Sequence, residues 1–107
     1  DAIVLGQAKD GGLYFPEKIP DWDKNFIESL HKKSKAEIGF EIMKPYVGDA
    51  MPDKVLMDIM EHVLAFDFPL KKINEQIYSL ELFHGPTLAF KDVAMQLLGN
   101  FYEYYLR

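Results

Sequence analysis

The sequence predicts an α+β fold that is mainly helical with short strands, and three observations carry that reading. From Asp21 to Phe66, apolar residues recur at three- and four-residue spacing, the period of helices with one buried face. Between Ile77 and His84 the period drops to two, as in a strand, and beyond Gly85-Pro86 the helical period returns. At 107 residues, 49% hydrophobic and 14% aromatic, the chain has the apolar content for one small core.

The elements follow in order. Ala2-Ile3-Val4-Leu5-Gly6 reads as the last turn of a helix, with Gly6 free to take the left-handed conformation that ends helices. Asp10-Gly11-Gly12 predicts a turn, and Leu13-Tyr14-Phe15 a short strand closed by Pro16. A helix then carries Trp22, Phe26, Ile27 and Leu30, capped by Asp21 or Asp23. Ser34-Lys35-Ala36-Glu37 fits a capping box, in which the serine oxygen accepts an N–H three residues on and the glutamate reaches back. The helix it opens should bury Ile38, Ile42, Met43 and Tyr46, weakened by Gly39, with Pro45 late in it and Val47-Gly48-Asp49 ending it.

Pro52 suits a first helical position, where its missing N–H has no partner to lose. Val55, Leu56, Ile59, Met60, Val63 and Phe66 predict a helix over 52–65, stopped by Phe68-Pro69. A strand over 77–84 follows, then the Gly85-Pro86 turn. Thr87 is the expected N-cap of a last helix bearing Ala94, Leu97, Leu98, Phe101 and Tyr105. A strand, a turn and a helix in this order open many α/β layers, whose ligands gather at strand carboxyl ends beside helix N-termini.

Composition excludes several function classes. With 17 acidic and 12 basic residues the net charge is −5, and the one basic cluster is His31-Lys32-Lys33 with Lys35, which argues against nucleic acid as a partner. No cysteine is present, which removes disulfides, thiolate zinc sites and cysteine nucleophiles and fits the cytoplasm. No run of about 18 apolar residues exists to span a membrane. His31, His62 and His84 lie far apart without partners at ligand spacing, so no metal is expected. Gly11-Gly12 lacks the glycines and flanking elements of a phosphate loop. The chain opens at Asp1 without methionine and stops at Arg107 within a predicted helix, so a piece of a longer protein is expected.

Lys91 stands out. It can sit on the outer face of its helix with Asp92, as an ordinary surface lysine. Yet Leu88, Ala89, Phe90, Val93 and Ala94 surround it in sequence, and the first turn of a helix disfavours a cation by about 0.3–1 kcal/mol. A free lysine has a pKa of about 10.4. Apolar burial and a helix N-terminus both push it down, which makes the amine a good imine-forming nucleophile and, once released, an acid–base group.

Glu81-Leu82-Phe83-His84-Gly85-Pro86-Thr87-Leu88-Ala89-Phe90-Lys91-Asp92 closely resembles the cofactor-attachment segment of the threonine synthase family. Its general form, a threonine, one residue, a small residue, an aromatic and a lysine, is similar to the wider fold-type II pyridoxal-phosphate enzymes, including serine/threonine dehydratases and tryptophan synthase β. A second stretch, Asp10-Gly11-Gly12-Leu13-Tyr14-Phe15-Pro16-Glu17 with Ile19-Pro20, is similar to that family's N-terminal segment. Tyr46-Val47-Gly48-Asp49 and Phe66-Asp67-Phe68-Pro69 fall in order between them, so the resemblance covers essentially the whole chain.

The resemblance implies a lyase that converts O-phospho-L-homoserine and water to L-threonine and phosphate, with pyridoxal 5'-phosphate held on Lys91, the catalytic and cofactor-binding residue. It implies a family N-terminal domain over 1–80 and the start of the α/β cofactor domain over 81–107. The loop for the cofactor phosphate, the partner of the pyridine nitrogen and most substrate-phosphate contacts are expected beyond residue 107, so these 107 residues alone are expected to be inactive and to lack the cofactor. The rest of its own chain is the expected partner. Without it, Phe101, Tyr104, Tyr105 and Leu106 are expected to form an uncovered face suited to self-association. Whether His84, Thr87 or Asp92 touches the cofactor is left open. So are two alternatives, a related phospho-lyase acting on another phosphorylated amino alcohol and a non-enzymatic helical interaction module.

Overall fold

Ser34 opens the longest run of regular packing. Its hydroxyl accepts the Glu37 N–H at 3.2 Å while the Glu37 carboxylate accepts the Ser34 N–H at 2.6 Å, closing the expected capping box. The Ser34 backbone bond, then its hydroxyl, holds the Glu37 carboxyl below the usual carboxylate range. The computed structural model describes residues 2–107. Among them, α1 covers Ala2–Leu5, α2 Lys24–Ser29, α3 Lys35–Val47, α4 Asp53–Val63 and α5 Asp92–Leu106, with a 3-10 turn at Leu30–Lys32 after α2. Strands β1, Leu70–Lys72, and β2, Tyr78–Leu80, form an antiparallel hairpin with Leu70 opposite Leu80. This is the mainly helical α+β class that the sequence predicts.

The core forms where α3 and α5 pack on α4. Leu56 is 0% exposed and Met51, in the α3–α4 connection, 1%; Ile59, Met60, Val63 and Phe101 complete the buried cluster. Burying each such side chain contributes about 1.5–3 kcal/mol. The residues predicted for α4 supply most of the core, as their period required. Pro52 stands one position earlier than expected, at the N-cap.

On α3 the expected face is rotated. Ala36, Phe40, Met43 and Val47 pack against the core, whereas Ile42 and Tyr46 are exposed. Gly39 explains the rotation. A Cβ built there would lie 2.6 Å from Leu64 Cδ1 and 3.0 Å from Met60 Sδ, so this glycine lets α3 approach α4 closely rather than weakening the helix. Lys44 ties the two helices at their junction, meeting Asp53 at 2.6 Å and donating to the Gly48 carbonyl at 2.8 Å.

Three other expectations change. Leu13-Tyr14-Phe15 is not a strand: it has no partner strand among the described residues, and Leu13 and Phe15 are exposed. The strand expected over 77–84 shortens to Tyr78–Leu80, because only that stretch finds a partner in Leu70–Lys72. That hairpin turns on Asn74, whose side-chain oxygen accepts the N–H groups of Gln76 and Ile77 at 2.9 and 3.0 Å. Finally, the face of α5 expected to lie open is largely used within the chain. Phe101 is buried and Tyr104 and Tyr105 are half-buried against the core, leaving Leu106 exposed.

Asp23 caps α2 by accepting the Phe26 N–H at 2.7 Å, and Gly6 ends α1 with φ of 69°, both as expected. Among the described residues, no helix is long and apolar enough to cross a membrane.

Candidate active site

Between β2 and α5 the chain makes two successive turns. The Leu88 N–H donates to the Gly85 carbonyl at 3.1 Å, closing a turn with Pro86 at its second position, where the fixed ring torsion favours turning. The Asp92 N–H donates to the Ala89 carbonyl at 3.1 Å, closing the second. Leu88 joins them with φ of 56°, in the left-handed region that costs a side-chain-bearing residue about 1–3 kcal/mol. Helix α5 therefore starts at Asp92 instead of Leu88, and Lys91 takes the N-cap position.

Thr87 is not the cap that its sequence position suggested. Its hydroxyl donates to Asp92 Oδ1 at 2.6 Å, and its N–H points between the two carboxylate oxygens, at 3.3 and 3.1 Å. Asp92 is 2% exposed, so it does not share the outer face of the helix with Lys91. A buried carboxylate needs hydrogen bonds to offset lost hydration, and Thr87 supplies them. Gly85, itself buried, lies against the same group: a Cβ there would be 2.5 Å from Asp92 Oδ2 and 2.9 Å from Asp92 Cβ. Close approach is thus the reason for glycine at this position.

Lys91 is exposed, contrary to the apolar burial expected for it; its Nζ lies 6.0 Å from the centre of the Phe90 ring. Leu88 is 76% and Phe90 68% exposed, so the apolar residues before Lys91 in sequence do not enclose the amine. The carboxylate next to it in sequence is turned away toward Thr87, and no ion pair involves Lys91 among the described residues. His84 sits just before the turns, its Nε2 2.7 Å from Glu81 Oε2 and its ring stacked on Phe83 with centroids 4.8 Å apart. An uncommitted primary amine at the start of a 15-residue helix is a suitable group for a carbonyl-bearing, anionic cofactor.

Sequence reasoning singled out Lys91 but missed Asp92 as the group that shapes its loop. The signal was the threonine five residues before an aspartate, with a glycine two residues earlier still. The other quoted segment is looser. Asp10 Oδ1 accepts the Gly12 N–H at 2.9 Å and Gln7 donates to the Gly11 carbonyl at 3.1 Å, while Leu13 and Phe15 face outward.

The family model described as the threonine synthase N terminus matches residues 1–64. A threonine synthase of Schizosaccharomyces pombe is 40% identical over 99% of this chain, which spans 22% of that relative. One of Pseudomonas aeruginosa is 41% identical over 99% of this chain and 24% of the relative. Among solved structures, the pyridoxal-phosphate-bound threonine synthase of Brucella melitensis superposes with a TM-score of 0.93 at 38% identity, over 98% of this chain and 24% of that one. The Escherichia coli threonine synthase gives 0.92 at 30% identity, with the same coverage of both chains. By sequence and by fold, over nearly all of its described length, this chain belongs to the threonine synthase family.

Proposed function

We propose that the protein containing this chain is a pyridoxal-phosphate-dependent lyase that converts O-phospho-L-homoserine and water to L-threonine and phosphate, and that Lys91 carries the cofactor. The observation behind this reading is the free amine of Lys91 on a stapled loop at the N-terminus of α5, in a chain of this family. The residues present fit the cofactor. Lys91 supplies the nucleophile, the preceding turns lead into the helix N-terminus, and no neighbouring carboxylate competes for the amine among the described residues.

When bound, pyridoxal phosphate supplies an electron sink for charge developing on the substrate's carbon atoms. Lys91 Nζ would hold it covalently and, as a free amine, would move protons at the substrate's carbons. The exposed Phe90 ring, 6.0 Å from the amine, offers apolar surface for shielding it from water. In this reading residues 1–80 are the family's N-terminal domain, residues 81–107 begin the cofactor domain, and the enzyme works in the cytoplasm. The loop for the cofactor phosphate and most substrate-phosphate contacts lie elsewhere in the protein, so residues 1–107 alone make no threonine.

The test is borohydride fixation of the cofactor on the full-length protein, followed by mass analysis of the peptide that carries it. The label is expected on Lys91 and should vanish, with threonine formation, in Lys91→Ala. A label on another lysine, or one that persists in Lys91→Ala, overturns the assignment. Parallel turnover of phosphohomoserine and phosphothreonine decides the substrate, and preference for the second overturns that part of the reading.

A further inference from the structure

Asp92 is the one buried charged residue among the described residues, and no lysine or arginine pairs with it there. A surface aspartate would satisfy the start of α5 equally well, because an acidic side chain in the first turn needs only to be near the N–H groups. This one instead turns back across the loop, takes both donors of Thr87, and packs under the backbone of Gly85. Leu88, held with positive φ, lies between the two bonded residues. Strain of that kind persists only where the surroundings over-determine it. The exposed Leu88 and Phe90 side chains do not anchor the loop to the core, so its shape rests on the two turn-closing backbone bonds and on the Asp92–Thr87 side-chain bonds that join one turn to the other.

We propose that Asp92 is a positioning residue: its buried carboxylate, by accepting the N–H and hydroxyl of Thr87, fixes the double turn of Gly85–Asp92 and so sets the direction in which Lys91 leaves the start of α5. The proposal rests on the reading of Lys91 as the cofactor lysine. It assigns Asp92 no contact with the cofactor. It separates two neighbours in sequence into a lysine that reacts and an aspartate that aims it, and it accounts for why Asp92 does not neutralise the adjacent amine.

The experiment uses the full-length protein, stripped of cofactor and then mixed with pyridoxal phosphate, with attachment followed by borohydride fixation at intervals. Asp92→Asn keeps the shape but replaces one acceptor oxygen by a donor that faces the donors of Thr87. Thr87→Val removes the hydroxyl alone, and Thr87→Ser keeps it. In Asp92→Asn and Thr87→Val, attachment at Lys91 and kcat should fall about tenfold or more, the rate equivalent of one lost charge-assisted hydrogen bond. KM should change little, and the Thr87 amide should exchange its hydrogen faster in Asp92→Asn. Thr87→Ser should restore the parent's attachment rate.

Parent-like attachment and kcat in both Asp92→Asn and Thr87→Val would sink the positioning role while leaving Lys91 as the cofactor lysine. Losses that track only the unfolding midpoint, with no recovery in Thr87→Ser, would reduce Asp92 to a fold residue and equally overturn the proposal. Should Asp92→Asn fail to fold, the Thr87 pair decides, since it leaves the carboxylate in place. Attachment of the cofactor to another lysine in the parent would remove both readings together.

Discussion

The helical core and the lysine loop are built by opposite means. In the core, Leu56, Met60 and Val63 of α4 meet Phe101 of the remote α5, and the cluster is held by apolar burial without a buried charge. In the loop, the apolar residues Leu88 and Phe90 are exposed, while the buried group is a carboxylate bonded five residues back. Each region uses a glycine for close approach, Gly39 between helices and Gly85 against Asp92. The difference teaches where each is vulnerable: the core to loss of volume, the loop to loss of a few directed bonds.

The largest expected effect is in the core. Leu56→Ala in the full-length protein should cost about 2–5 kcal/mol, from lost transfer energy and the cavity left behind, read as a lower urea midpoint. The Thr87 amide should keep its exchange rate in the folded state. If that amide loosens in step with the midpoint, the two regions are not separable and the comparison breaks.

The two glycines sharpen it. Gly85→Ala forces a Cβ to 2.9 Å from Asp92 Cβ and Cγ, atoms that move only with the start of α5, so overpacking should cost about 1–3 kcal/mol. That cost should appear as faster Thr87 exchange and lost cofactor attachment. Gly39→Ala meets Leu64 Cδ1 and Met60 Sδ, the far ends of flexible side chains, and should cost less. Its effect should fall on the urea midpoint and not on attachment. Equal loss of attachment in both variants would contradict this division.

The smallest effect is at the start of α3. Ser34→Ala should cost about 1 kcal/mol by removing the cap. The Glu37 carboxyl is held below its unfolded value, which is about 4.3. Its contribution is therefore complete above that value and is lost as pH falls through the lower folded one. Amide shifts of Ser34 and Glu37 across an acid titration would show this in the parent, and Ser34→Ala should bring the Glu37 midpoint up. An unchanged midpoint would show that the serine hydroxyl is not among its causes and leave the Ser34 N–H, which the alanine keeps.

Much of the fold was legible because local chemistry decided it. The capping box at Ser34, the cap at Asp23, the left-handed Gly6 and the stripe of α4 each depend on residues within a few positions of one another. What was not legible depended on pairs. The α3 face turned on how Gly39 fits against Met60 and Leu64, a property of two helices together. Strand β1 was not legible because Lys71, Lys72 and Asn74-Glu75-Gln76 are polar while Leu70 and Ile73 are exposed, hiding the alternation, and Asn74 supplied the turn through its side chain. At the site, Lys91 was visible from its neighbours in sequence, but Thr87 looked like a helix cap because its acceptor, five residues on, lies beyond the reach of ordinary cap spacing.

The staple also bears on the order of events in folding. Its bonds close a ring across five positions of sequence, and short rings carry little closure entropy. Segments of this length meet within about 10–100 ns, far sooner than contacts between remote helices such as α4 and α5 are settled. The two ends of the lysine loop are thus expected to meet before the remote helices dock, while the strained Leu88 settles only once Asp92 is held in place.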